Sequence, residues 1–284
     1  MTKRVKEVLQ VLGRLMKNDF DISRICSEFI NGKYNIHLFG YDKKTGEFVY
    51  KRDNFNDYFF YPIEHISDLN IYSGFKIEDE KIYKTLYGKF ANKVYYNSLL
   101  SKKNLHQKTG RCLEADVNPG SRYLLDNNFE WSSKRHILFF DIETWFDENN
   151  PNKNKPENAQ CSITAIVCFS SLFNKRIIFS WHEKNTSNID QVDIIEKDNK
   201  IYVFTNTEEN LLISFFDFIK TNNVDIITGY YSSQFDLPYI INRSINIGID
   251  YTELSPVGKV TIYKKYMEWK IFISGLDHID ILTA

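Results

Sequence analysis

From His136 to Thr144 the chain reads His-Ile-Leu-Phe-Phe-Asp-Ile-Glu-Thr, an apolar run that ends in two acids separated by one apolar residue. Its β-branched and aromatic content predicts a buried strand. Side chains alternate along a strand, so Asp141 and Glu143 share one face about 7 Å apart. A second run, 225–229, predicts a short strand leading through a Gly-led turn to a helix from Asp236, with Pro238 in its first turn. Between them, 163–169 and 176–181 read as antiparallel strands, 183–200 as a polar insertion and 201–204 as another strand. The pattern 207–220 reads as a helix capped by Asn206, burying Leu211, Leu212, Phe215, Phe216 and Ile219. Two short strands, 260–264 and 269–274, form a hairpin near the end.

Upstream, Val5, Val8, Leu9, Leu12, Leu15 and Met16 recur at helical spacing over 3–16. A second helix is predicted from Asp21, as cap, to Ile30, with Gly32 ending it. Residues 34–41 and 47–51 flank a turn and predict a β-hairpin, followed by an aromatic strand to Pro62. A strand over 82–87 and a helix over 89–102, with Phe90, Val94, Tyr95 and Leu99 on one side, complete this half.

Composition changes the picture little. With 284 residues, 43% hydrophobic and 26% charged, the chain is long enough for two globular domains. No apolar run predicts a membrane span, no signal peptide is read, and the four cysteines lack metal-ligand spacing, so a cytoplasmic protein is expected. Charge is uneven: residues 1–110 hold 19 Lys and Arg against 13 Asp and Glu, while 111–284 hold 17 against 24. A basic half can meet phosphates while an acidic half holds cations; a solvated surface explains the same counts.

Two carboxylates on one face repel unless a cation lies between them, and oxygen ligands of this kind suit Mg²⁺ or Mn²⁺. Asp-x-Glu alone is common by chance and needs a partner. Asp236 is a candidate, although an acid at a helix start also serves as a cap.

Together, Asp141-Ile-Glu143 and Phe235-Asp236 resemble the Exo I and Exo II motifs of family B DNA polymerases. Leu113-Glu114-Ala115-Asp116 with Arg122-Tyr123-Leu124-Leu125-Asp126 resembles the segment that precedes Exo I. The hairpin and the exit Leu276-Asp277-His278-Ile279-Asp280 resemble the phage replicative branch, in which such a hairpin helps move the primer end. The resemblance covers about 34–284 and implies an α/β (α+β) chain, with a small β-rich N-terminal domain at 34–134 and a ribonuclease-H-like 3′→5′ exonuclease domain with a mixed sheet at 135–284; residues 1–33, which it does not reach, read as an added helical extension. It implies catalytic and metal-ligating roles for Asp141, Glu143 and Asp236, two Mg²⁺ or Mn²⁺ ions, and a primer–template or single-stranded DNA 3′ end as partner, with Tyr231 and Phe235 beside the DNA. Tyr231 stands where the family usually has Asn.

The family closes its site with a fourth acid, Exo III, and continues into a polymerase palm; only four residues follow Asp280 here. A second polypeptide carrying Exo III and the palm is therefore expected, and little activity from the chain alone. Were the protein phage-encoded, it would work in the host cytoplasm. The alternative is a catalytically inactive nucleic-acid-binding or polymerase-docking module.

Overall fold

A computed structural model describes residues 19–78, 81–85, 88–181 and 192–283, so the helix expected over 3–16 and half of the polar insertion expected over 183–200 lie outside the described residues. The chain divides into two compact units, 1–132 and 133–284.

In the first unit β1 (Phe20–Ile30), β2 (Lys33–Asp42) and β3 (Phe48–Phe55) form an antiparallel sheet. The helix expected over 21–30 is thus a strand. Gly32, expected to end a helix, instead forms with Asn31 the two-residue hairpin turn between β1 and β2, with φ of 82° and 50°. A register shift between Ile22 and Arg24 breaks the alternation of β1 and gives its apolar residues a helical spacing. A second sheet joins β4 (Tyr58–Pro62), β5 (Phe75–Ile77), β6 (Tyr83–Lys84) and β7 (Phe90–Tyr96). Here too the expected helix over 89–102 is corrected: its first half is β7, paired with three strands, and α1 (Leu99–Thr109) starts only after the Ser98 cap.

The helix α2 (Pro119–Asp126) is capped by Asn118. Its Arg122 reaches buried Asp57 at 3.1 Å and lies over the Tyr58 ring, while Asp126 accepts the Tyr58 hydroxyl at 3.0 Å. The Arg122–Asp57 pair is buried, so loss of either partner would leave an uncompensated charge inside the unit.

The second unit is built on a seven-stranded mixed sheet. Its strands are β8 (Ile137–Thr144), β9 (Ile163–Ser170), β10 (Lys175–Trp181), β11 (Val192–Lys197), β12 (Lys200–Thr205), β13 (Ile226–Gly229) and β16 (Asp277–Asp280), in the order β11-β12-β10-β9-β8-β13-β16. The strands β9 and β10 pair antiparallel, whereas β8, β13 and β16 run parallel. The helices α3 (Glu208–Thr221) and α4 (Asp236–Ile247) bury one face of the sheet. All five apolar residues named for α3 are buried, but its cap is Thr207, which accepts the Asn210 N–H, one residue beyond the expected Asn206. The strands β14 (Val260–Lys265) and β15 (Glu268–Ile273) make a separate hairpin. Mixed α/β architecture with a β-rich first unit is the observed fold class. Among the described residues no helix is long and apolar enough to cross a membrane, and the four cysteines are free.

Candidate functional site

The strand β8 obeys a period of two. Leu138, Phe140 and Ile142 enter the core beneath the helices, and Phe139, Asp141 and Glu143 are exposed on the opposite face. The strand is therefore buried on one face rather than both, because α3 and α4 cover only one side. That is what lets Asp141 and Glu143 remain hydrated at the centre of a sheet.

The parallel partner β13 pairs with β8 only as far as Thr228, opposite Phe139. At Gly229 the two strands part. A β-carbon there would lie 2.7 Å from the Phe140 carbonyl oxygen, so the close approach needs glycine. Into the opening comes the start of α4. Asp236 is only 3% exposed, and its Oδ1 accepts the main-chain N–H of Ile142 at 3.1 Å. Its carboxyl lies close enough to that of Asp141 for the two to interact electrostatically. Burial raises the Asp236 pKa to about 7, the neighbouring Asp141 charge adds to the rise, and the Ile142 N–H opposes it. A buried acid held beside a second, exposed acid offers oxygen ligands of the kind that suit a hard divalent cation.

Glu143 lies two residues along the same exposed face. Among the described residues, however, no group of three or more His, Cys, Asp or Glu side chains is arranged to hold a metal ion. The structure thus brings Asp141 and Asp236 together and leaves Glu143 beside them on β8.

The loop between β13 and α4 is held by residues to which the sequence assigned no role. The Asp280 carboxylate, at the end of β16, accepts the N–H groups of Tyr231 and Ser233 at 3.0 and 2.9 Å, the Leu282 N–H at 3.0 Å, and the Ser233 hydroxyl. Burial alone would raise its pKa, but these bonds outweigh it and hold the carboxyl below its ordinary range. The Ser232 hydroxyl donates to the Gly229 carbonyl and accepts from His278 Nε2 at 2.9 Å. The Gln234 amide grips both main-chain groups of Trp269 in β15: Oε1 accepts its N–H at 2.9 Å, and Nε2 donates to its carbonyl at 3.3 Å.

Of the two residues expected beside DNA, Tyr231 is 47% exposed and carries φ of 57°. Phe235 is partly buried against the core, its ring 5.7 Å from that of Tyr239, so it anchors the loop. A further buried pair, Arg243 of α4 and Glu208 of α3 at 2.7 Å, joins the two helices; Glu208 also accepts the Ile163 N–H at the start of β9.

A profile of the family described as DNA polymerase family B, exonuclease domain, matches residues 113–283. The chain belongs to this family. Relatives of this family B exonuclease domain include the DNA polymerase catalytic subunit of Alcelaphine herpesvirus 1, 29% identical over 56% of the chain and 15% of the relative. The DNA-directed DNA polymerase of Escherichia phage RB69 is 28% identical over 52% of the chain and 19% of its own length. The DNA polymerase catalytic subunit of Elephantid herpesvirus 1 is 24% identical over 95% of the chain and 26% of its own length. The chain thus spans about a quarter or less of each of these relatives. The motifs read as Exo I and Exo II, around Asp141 and Asp236, lie inside the matched region.

Proposed function

We propose that this exonuclease domain removes nucleotides from single-stranded DNA 3′ ends, as the proofreading part of a family B DNA polymerase. The observation that carries the reading is the meeting of Asp141 and Asp236 where β8 and β13 part. That opening lies at the carboxyl ends of parallel strands, where ligands of open α/β sheets bind. In the reaction, water attacks the phosphorus of the terminal phosphodiester, the bond to the 3′ oxygen breaks, and that oxygen takes up a proton. The products are a nucleoside 5′-monophosphate and a shortened strand.

In this reading Asp141, Glu143 and Asp236 are the ligands of two divalent ions, Mg²⁺ or Mn²⁺. Such ions, when bound, stabilise charge on the attacking and departing oxygens. Asp141 and Glu143 hold the side from which water attacks; Asp236, fixed by the Ile142 N–H, holds the other. Tyr231 offers a ring on which a base can stack, but no amide hydrogen bonds. A fourth acid and the polymerase palm are assigned to polypeptide outside these 284 residues, a second chain being one source.

The test is digestion of a labelled single-stranded primer with Mg²⁺, first by this chain and then with a candidate partner that supplies the fourth acid and the palm. Little digestion by the chain alone is expected. The mixture should remove a mismatched primer end, and Asp141→Ala with Glu143→Ala should abolish that activity while polymerisation persists. A mixture that never digests would leave the alternative, an inactive DNA-binding module.

A further inference from the structure

The uncovered face of the seven-stranded sheet carries a row of residues far from the acids. Register partners on neighbouring strands point to the same side of a sheet. Arg176 of β10 stands opposite Lys200 of β12, and Lys200 stands opposite Lys197 of β11. The row lies on the side away from α3 and α4, since the chain neighbours Ile177 and Ile201 pack into the core instead. It spans two strand spacings, about 10 Å. On β9 the next residue in the row is Phe169, paired with Arg176 and 36% exposed. Phe169, Asn174, Arg176, Asp198, Asn199 and Lys200 line a small cavity of about 260 Å³.

Like charges directly opposite one another destabilise a sheet. A lysine on an edge strand blocks edge-to-edge pairing, which accounts for Lys197 on β11. It does not account for Arg176 and Lys200, because β10 and β12 are paired on both sides. Among the described residues none of the three cations is ion-paired. Glu196 belongs to the other face of β11, where it holds Lys175. Asp198, in the β11–β12 turn, is the one carboxylate lining the cavity, so the three cations face a single acid. The backbone beneath them is tied together, since the Asn199 amide donates to the Asn174 carbonyl in the β9–β10 turn at 3.3 Å.

We propose that this row is a binding site for the phosphates of a nucleic-acid strand, two to four strands away from Asp141, about 10–20 Å across the sheet. The acids are not part of it, and it does not rest on the exonuclease reading. Two features decide the occupant. The cations form a line rather than a ring, which matches a linear polyanion better than a compact one. The line ends at the exposed Phe169 ring, and a nucleic-acid strand supplies both the anions and a flat base for that ring. Bound phosphates cancel the repulsion within the row. Each phosphate contact also releases counterions, so binding weakens steeply with salt.

The experiment is a fluorescence-anisotropy titration of the full chain in EDTA with a labelled oligodeoxythymidylate, over a range of salt concentrations. Arg176→Gln with Lys197→Gln and Lys200→Gln should weaken binding roughly tenfold and lower the salt slope by about 2, from three contacts at about 0.7 each. Lys44→Gln with Lys84→Gln and Lys103→Gln, which removes as much charge from exposed positions of the first unit, should cost far less. Relief of the repulsion should leave the row variant melting at or above the parent temperature. Sodium tripolyphosphate, titrated by calorimetry, should not distinguish the row variant from the parent. An intact chain that does not bind the strand overturns the proposal, as does an unchanged salt slope, an equal loss in the first-unit variant, or a row variant that melts below the parent. Tripolyphosphate binding that is lost in the row variant while strand binding persists overturns it too, and gives the row to a compact polyphosphate. The exonuclease reading is decided separately by primer digestion, because the row variant keeps Asp141, Glu143 and Asp236.

Discussion

The Asp280 carboxylate holds the main-chain N–H of Tyr231 across 49 residues of sequence, and the same carboxylate takes the N–H and hydroxyl of Ser233. One acid at the end of β16 thereby shapes the loop that delivers Asp236. Asp280→Ala should destabilise the second unit by about 3 kcal/mol, since several charge-assisted hydrogen bonds are lost and their donors are left without partners. Denaturant titration measures this. The sign with pH follows from the depressed pKa. The stabilisation is fully present above the ordinary carboxylate value of 3.8 and is lost as pH falls through the lower folded value, so the difference between parent and variant should shrink in acid.

Asp236 behaves in the opposite sense. Its pKa is raised to about 7 from 3.8, so without a cation its charge costs stability above pH 7. That cost disappears as pH falls from 7 towards 3.8. In EDTA at pH 8, Asp236→Asn should be more stable than the parent, by at most about 4 kcal/mol, with no gain at pH 3. Mn²⁺ should raise the melting temperature of the parent and leave that of the variant unchanged.

Tyr231 occupies a left-handed backbone conformation that a residue with a β-carbon adopts at a cost of about 1 kcal/mol, and that Asn or Gly adopts readily. Tyr231→Asn should therefore stabilise the chain by roughly 0.5–1 kcal/mol. If the ring stacks on a base, the same substitution should weaken binding of single-stranded DNA. Thermal melts and anisotropy titrations of one variant test both effects, and they move in opposite directions.

Arg243→Met would strand the buried Glu208 carboxylate and should cost about 3–5 kcal/mol; adding Glu208→Gln should recover part of the loss. Unfolding curves of the single and double variants decide this.

Much of the second unit was legible because its signals are local. The alternation in Leu138–Ile142, the apolar face of α3 and the start of α4 at Asp236 each depend on residues within a few positions of one another. The misread segments fail for a physical reason. In β1 a bulge disturbs the period of two, so Ile22, Ile25, Cys26 and Phe29 imitate a helix until β2 pairs with them. In β7, Phe90 and Val94 do the same, and pairing on both edges overrides the helical pattern. The Asp141–Asp236 meeting followed from the motif resemblance, not from periodicity. Asp280 and Gln234 were missed because their partners are main-chain groups 35 to 49 residues away, and no side-chain pattern records those.

The parting of β8 and β13 also bears on the order of folding. Asp141 lies on a strand whose neighbour β9 pairs across a connection of eighteen residues, whereas Asp236 reaches it only after parallel pairing closes a loop of about ninety residues. Closing such a loop loses chain entropy before any contact compensates, which makes non-local parallel pairing slow. The acid pair should therefore assemble late in refolding, after β8, β9 and β10 have formed. Protection of the Ile142 amide from hydrogen exchange, given by Asp236, should appear after that of the β9–β10 amides.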